Sequence, residues 1–380
     1  MMIKEIRIEN YKSIQKLKLS LGRVTVLIGE NGCGKSNILE AIALSSASAN
    51  DKLDNEFLAP RGIRVTDPQF MRSAFDKSTC MQDIKIHLEG DDGAVFNCSL
   101  RHDNHPYSKW VNSETKGAPT IQEAIEYLEK HKKALHAGAQ NPNRLTVSTV
   151  LKELVTKPHA LNLPTFLIYA PDSVALRLFS KEGQIQPLGI HGEGLFKLLK
   201  VLSSEENKIN EIKEKMQLLA WFKDFQIPQN LSDLENYIRI KDRYLDEDLP
   251  YFDQNSSNEG FLFLLFYFSL FISEDTPKFF AIDNVDESLN PKLCSQLIRE
   301  LVTLSKSYDK QVILTTHNPA ILDGLNLHDD EQRLFVIYRN KLGHTKARRI
   351  LKHKPTPGQD PVRLSEAFLR GYIGGLPKSF

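Results

Sequence analysis

The sequence predicts a mixed α/β fold, a sheet with flanking helices and a compact helical insertion, and three observations predict it. Residues 24–28, VTVLI, are a continuous apolar run suited to a central strand, and they lead straight into GENGCGKS at 29–36. Far downstream FFAI, 279–282, reads as a second short buried strand ending on Asp283. A third, QVILTT at 311–316, ends on His317. Strands whose C-terminal tips collect polar residues place a ligand at that edge of an open α/β sheet.

Each element follows from its residues. Ile3, Ile6 and Ile8 alternate with charge, as a half-buried strand does, and Leu17 and Leu19 repeat the pattern after Asn10-Tyr11-Lys12-Ser13. GENGCGKS is G-x-x-x-x-G-K-[ST], directly after a strand and directly before the helix-forming NILEAIALSSA. The backbone of Asn31, Gly32, Cys33 and Gly34 is therefore expected to cradle phosphate oxygens, helped by the helix N-terminus. Lys35 reaches the β and γ phosphates, and the Ser36 hydroxyl ligates Mg²⁺. Asp283 is the acidic partner for the metal, with Asp286 and Glu287 at the same edge. His317 is placed to bond the γ-phosphate or the attacking water. ATP and Mg²⁺ are the cofactors these motifs imply.

The middle of the chain is less explicit. MQDIKIHL and GAVFNCSL, 81–88 and 93–100, flank a Gly-Asp-Asp-Gly turn and read as a hairpin. Residues 119–157 read as helix, loop, helix, and 165–170 as a buried strand ended by Pro171. Residues 195–244 read as helical, with Ile209, Ile212, Met216 and Leu219 at three- and four-residue steps. FLFLLFYFSLFI, 261–272, is too apolar for a surface helix. At about 18 Å it is also too short for a bilayer, which needs roughly 20 residues, so a buried helix is expected and no membrane. Ser256 or Ser257 would cap it, with Glu259 completing a capping box. The expected division is a first lobe at 1–115, a mainly helical insertion at 116–250, a second lobe at 251–340 and a basic extension at 341–380.

Charge and cysteine usage narrow the classes. Lys plus Arg number 49 against 48 Asp plus Glu, so a uniformly basic nucleic-acid coat is excluded. The tail is different. RNKLGHTKARRILKHK, 339–354, has seven positive side chains and no acid. It reads equally as a polyanion contact or as a charged sheet edge guarded against pairing. Cys33, Cys80, Cys98 and Cys294 show no metal spacing, and the N-terminus has no signal-peptide core, so a cytoplasmic protein is expected.

Four elements in order resemble the ABC-type ATPases of the SMC, RecF and OLD branch: strand–Asn10-Tyr11-Lys12-Ser13, GENGCGKSN, SSNEGFLFLLFYF at 256–268, and IDNVDESLNP followed by TTHNPAIL. The resemblance covers about residues 1–48 and 256–340. It implies a P-loop NTPase fold of the ABC ATPase head type. It also implies that Lys12 and Asn37 lie by the nucleotide, and that two protomers sandwich ATP, alone or within a larger oligomer. Ser257 to Gly260 would then be the signature turn facing the partner's γ-phosphate. The turn His191-Gly192-Glu193-Gly194 is similar to the entry of the branch's helical lobe. Gln82 is the nearest candidate for the glutamine that completes the metal site, an exposed strand residue being the other reading.

One departure stands out. The branch places a glutamate, the general base, where this chain has Asn284, and an amide orients water without taking its proton. Asp286 is the candidate substitute. Slow or partner-dependent hydrolysis follows, which suits a switch that regulates a separate effector, a nuclease in anti-phage systems of the Septu, PARIS and retron kinds. OLD proteins carry a Toprim nuclease after this region, and none of that kind is expected here. A RecF-like DNA-repair ATPase and a nucleotide-dependent scaffold without turnover are the alternatives.

Overall fold

The computed structural model describes residues 2–105, 107–113, 161–179, 185–228, 236–249, 251–351 and 362–376. Strands β1 (Ile3–Tyr11) and β2 (Ile14–Ser20) pair antiparallel. Strand β3 (Val24–Ile28) is buried throughout and passes through the glycine loop into α1 (Lys35–Ala49). The expected hairpin is β4 (Ile84–Gly90) with β5 (Val95–Arg101), extended by β6 (Val111–Asn112). Of the strand expected at 165–170, only β7 (Ile168–Tyr169) pairs. The helix–loop–helix expected over 119–157 lies outside the described residues.

Helices α2 (Leu195–Leu202) and α3 (Glu206–Lys215) are followed by a one-turn extension carrying Met216, and Ile212 and Met216 are buried as their spacing requires. The helical reading of 195–244 fails beyond residue 218. There β8 (Phe222–Gln226) and β9 (Arg239–Asp242) form a hairpin. A register shift between Phe222 and Asp224 turns both Phe222 and Phe225 inward, and that three-residue spacing imitates a helix.

The rest of the described chain holds α4 (Glu259–Ile272), β10 (Phe279–Ile282), α5 (Pro291–Ser307), β11 (Gln311–Thr316), β12 (Gln332–Arg339), β13 (Thr345–Ile350) and α6 (Leu364–Leu369). Every residue of α4 from Phe261 to Ile272 is buried, and no described helix is long and apolar enough to cross a membrane. The basic stretch after Arg339 is a turn and the edge strand β13. There Arg348 donates to the Ile373 carbonyl, and Arg349 lies 3.3 Å from Asp330.

The main sheet has the order β13-β12-β3-β11-β10-β7, parallel except for β13 against β12. Alternation distributes each strand between two cores: Val24, Val26 and Ile28 face one, and Leu27 the other. The first core contains α4 and α5; the second contains α1 and the antiparallel sheet β2-β1-β4-β5-β6. Both faces are therefore covered, which is why β3, β10 and β11 read as continuous apolar runs. Their C-terminal tips are left side by side at one edge.

Candidate nucleotide-binding site

The loop after β3 is shaped by close approach. A Cβ on Gly29 would lie 2.1 Å from the Ile337 carbonyl oxygen, and one on Gly34 2.1 Å from Thr345 Oγ1. Gly32 is needed for its left-handed backbone, φ 73°, alone. Helix α1 opens without a capping side chain and without an acid in its first turn, so its N–H groups stay available to an anion. Lys35 Nζ lies inside the loop, donating to the carbonyls of Gly29 at 2.9 Å and Glu30 at 3.2 Å. Burial pulls its pKa below the usual lysine value, against the opposing pull of Cys33 and of the Asp283 and Asp286 carboxylates.

The pair expected to hold the metal is brought together across the sheet. Ser36 Oγ donates to Asp283 Oδ2 at 2.9 Å, and the Thr315 hydroxyl donates to the other Asp283 oxygen. Two oxygen donors beside a phosphate loop suit a hard divalent cation that keeps most of its water. Thr316 Oγ1 donates to Asp286 Oδ1 at 2.6 Å, tying that carboxylate to the tip of β11. His317 follows, its pKa lowered by partial desolvation and by Lys35, which favours the neutral ring. Lys35, Ser36, Asp283, Asp286 and His317 thus share one edge. Asn284 is exposed and left-handed, φ 55°, a conformation asparagine tolerates better than glutamate.

Lys12 is differently engaged from its expected place at the phosphates. Its ammonium bonds to Glu40, a carboxylate of α1 only 1% exposed, and to the Arg64 carbonyl. Arg64 reaches the same Glu40 and donates to Asn37 Oδ1 at 3.1 Å. Asn37 continues through Ser13 and Thr345 to the Cys33 carbonyl, a chain of side chains bracing the loop from behind. Glu40, Arg64 and Thr345 were not singled out by the sequence. The available signal was one acid, four residues after Ser36 and the only one in the helix.

At the head of α4 the expected cap is one residue off. Asn258 is the N-cap and accepts from the Phe261 N–H at 2.9 Å, whereas Glu259 accepts from Ser288 Oγ at 2.7 Å. Ser257 is buried, its hydroxyl donating to the Asn258 carbonyl, so Asn258 takes the presented position. Arg177 Nη1 donates to the carbonyls of Gln254, Asn255 and Ser257, each at 2.9 Å, and fixes the turn. In front of it lies a cavity of about 680 Å³ lined by Asn258, Glu259, Gly260, Ser288, Asn290 and Lys292. A Cβ on Gly260 would meet nothing closer than 3.6 Å, so its own chain does not demand glycine there. Gln82 is exposed ahead of β4, its carbonyl accepting from Asn10 and Arg72, and it does not line the cavity beside Ser36 and Asp283.

Comparison with known proteins agrees with this geometry. Residues 1–141 match the model described as an AAA ATPase domain, and residues 168–323 one described as an AAA domain, putative AbiEii toxin, Type IV TA system. An SMC head bound to the C-terminal winged-helix domain of ScpA superposes with a TM-score of 0.58 at 14% identity, over 92% of this chain and 98% of that one. A second head, with an extended coiled coil and bound to the C-terminal domain of ScpA derived from Pyrococcus furiosus, gives 0.51 at 13%, over 92% and 96%. The chain has the fold of these SMC heads. DNA replication and repair protein RecF of Bacillus thuringiensis (strain Al Hakam) and of Bacillus cereus (strain B4264) are each 40% identical over 57 residues. Those matches span only 15% of this chain and 15% of each relative. The P-loop in this fold supports ATP binding.

Proposed function

We propose that the chain binds ATP with Mg²⁺, closes as an ATP-sandwich homodimer, hydrolyses slowly, and thereby regulates a separate effector, a nuclease of an anti-phage system. The observation that carries the nucleotide site is the Ser36–Asp283 contact, which joins residues 247 apart at the mouth of the glycine loop. The bound cation would supply charge neutralisation on the phosphates. Lys35 and the α1 N–H groups hold the β and γ phosphates. Asp286, aimed by Thr316, takes the proton of the attacking water, and neutral His317 donates to a γ-phosphate oxygen. Asn284 in the glutamate's usual place leaves Asp286 and Glu287 as the carboxylates of this turn after Asp283, and of the two it is Asp286 that Thr316 ties to the tip of β11, which supports slow turnover.

The turn at Asn258–Gly260 supports the sandwich, since its residues line a cavity at a helix N-terminus. The effector role is supported by the toxin–antitoxin description of the second matching domain and by the partner seated on the SMC heads. A direct polyanion contact through residues 339–354 is the second reading, favoured by exposed Arg339, Lys341 and the edge position of β13. Residues 352–354 lie outside the described residues.

Fluorescent ATP-analogue binding to wild type and Lys35→Ala tests the site. Loss of affinity of about 10²-fold or more is expected from removing a buried charge partner. Unchanged affinity in a folded K35A protein ends the reading.

A further inference from the structure

Beside Ser36 and Asp283 lies a smaller cavity of about 290 Å³, lined also by Glu40, Arg64, Ala170 and His191. Gln82, the glutamine expected to close this side of the metal site, is elsewhere. We infer that His191 takes that place: it is a positioning residue whose imidazole accepts a hydrogen bond from the water shell of the cation held by Ser36 and Asp283. The inference rests on the nucleotide-site reading above.

The mounting of His191 is continuous with that of Asp283. The Asp283 N–H donates to the Tyr169 carbonyl at 2.8 Å, at the tip of β7. The next residues bond to the glycine turn: Ala170 N–H to the Ile190 carbonyl at 2.8 Å, and Asp172 N–H to the His191 carbonyl at 3.1 Å. The turn itself is locked. Gly192 and Gly194 are left-handed, φ 107° and 83°, and a Cβ on Gly192 would lie 2.4 Å from Leu176 Cδ2. Glu193 Oε2 accepts from the His191 N–H at 3.1 Å. A histidine held this way loses little freedom when it engages a ligand.

The ring's neighbours fix its tautomer. His191 Nδ1 lies 2.9 Å from the Ala170 carbonyl oxygen and 3.8 Å from Asp172 Oδ2. Both are acceptors, so Nδ1 carries a proton, and in the neutral ring Nε2 is then the acceptor. A ring whose second nitrogen is an acceptor can do for a metal-bound water what a glutamine carbonyl does. His191→Gln is therefore the conservative exchange, and His191→Ala removes the acceptor.

The experiment measures affinity for a fluorescent ATP analogue with Mg²⁺ and with EDTA, using the full chain of wild type, His191→Ala and His191→Gln, and records melting temperatures. His191→Ala is expected to lose about tenfold of the affinity gained from Mg²⁺, the usual scale for an outer-shell partner. Its EDTA affinity and melting temperature should stay at wild-type values, and His191→Gln should recover most of the loss. Should His191→Ala fail to fold, His191→Leu replaces it and the same outcomes decide. A full Mg²⁺ gain without the imidazole, an equal loss with and without Mg²⁺, or a glutamine variant as poor as alanine overturns the assignment. Wild type that binds no ATP overturns instead the nucleotide-site reading itself.

Discussion

The loop after β3 and the turn before α4 both lead into helix N-termini, yet the chain treats them differently. Around the first, side chains close on one another: Lys35 on the loop carbonyls, Ser36 on Asp283, Thr316 on Asp286, and Glu40 on Lys12 and Arg64. At the second, Arg177 and Asn258 tie down the turn's own backbone, and Gly260 faces an open cavity. A region satisfied within its protomer is built to hold a ligand.

Chemistry at the first region gives the largest expected effect. Asp286→Asn should lower kcat by about 10²–10⁴-fold with ATP affinity nearly intact, the range for loss of a general base. Restoring a carboxylate as Asn284→Asp, which tolerates the left-handed backbone, should raise turnover in the wild type and in Asp286→Asn alike. Phosphate release measured beside ATP affinity checks both. Brisk turnover surviving Asp286→Asn would move the base elsewhere and remove the basis for a slow switch.

A smaller effect is expected behind the second region. Arg177→Ala loses three charge-assisted bonds to carbonyls and should weaken ATP-dependent self-association by about tenfold, with ATP affinity of the single protomer unchanged. Equal losses in association and in ATP affinity would mean that the two regions are not separable.

The smallest lies at the opposite end of the sheet and serves as a control. Lys310 is buried before β11, donating to the carbonyls of Ser273 and Thr276, and burial pushes its pKa down to about 7 from 10.5. Above about pH 7 the folded state therefore binds fewer protons than the unfolded chain, so stability should rise as pH climbs toward 10. Lys310→Met should flatten that rise in melting curves without altering ATP binding. An unchanged slope means that Lys310 is not its source.

Local signals carried the first region. VTVLI-GENGCGKS, FFAID and QVILTTH each specify a strand and its polar tip within a dozen residues, and parallel pairing then aligns the tips. What stayed hidden depends on distance or on backbone. Glu40 meets Lys12 and Arg64 from 28 and 24 residues away, and Arg177 bonds only carbonyls, which carry no side-chain identity. The Phe222–Gln226 strand was masked by its bulge. At the turn before α4 three residues of capping type, Ser256, Ser257 and Asn258, stand in succession, and only the path of the chain selects Asn258 over Ser257.

The central claim is that the turn at Gly260 completes a nucleotide site on a second copy of this chain. Sedimentation velocity with Asp286→Asn protein, to preserve ATP, tests it with and without Gly260→Asp. The Asp286→Asn protein should gain mass equivalent to one further protomer, or double an existing assembly, only when ATP and Mg²⁺ are present. Adding Gly260→Asp should abolish that change while leaving ATP affinity intact, because a carboxylate would then face the γ-phosphate. A single state at all nucleotide conditions, or an ATP-driven change untouched by Gly260→Asp, contradicts the claim.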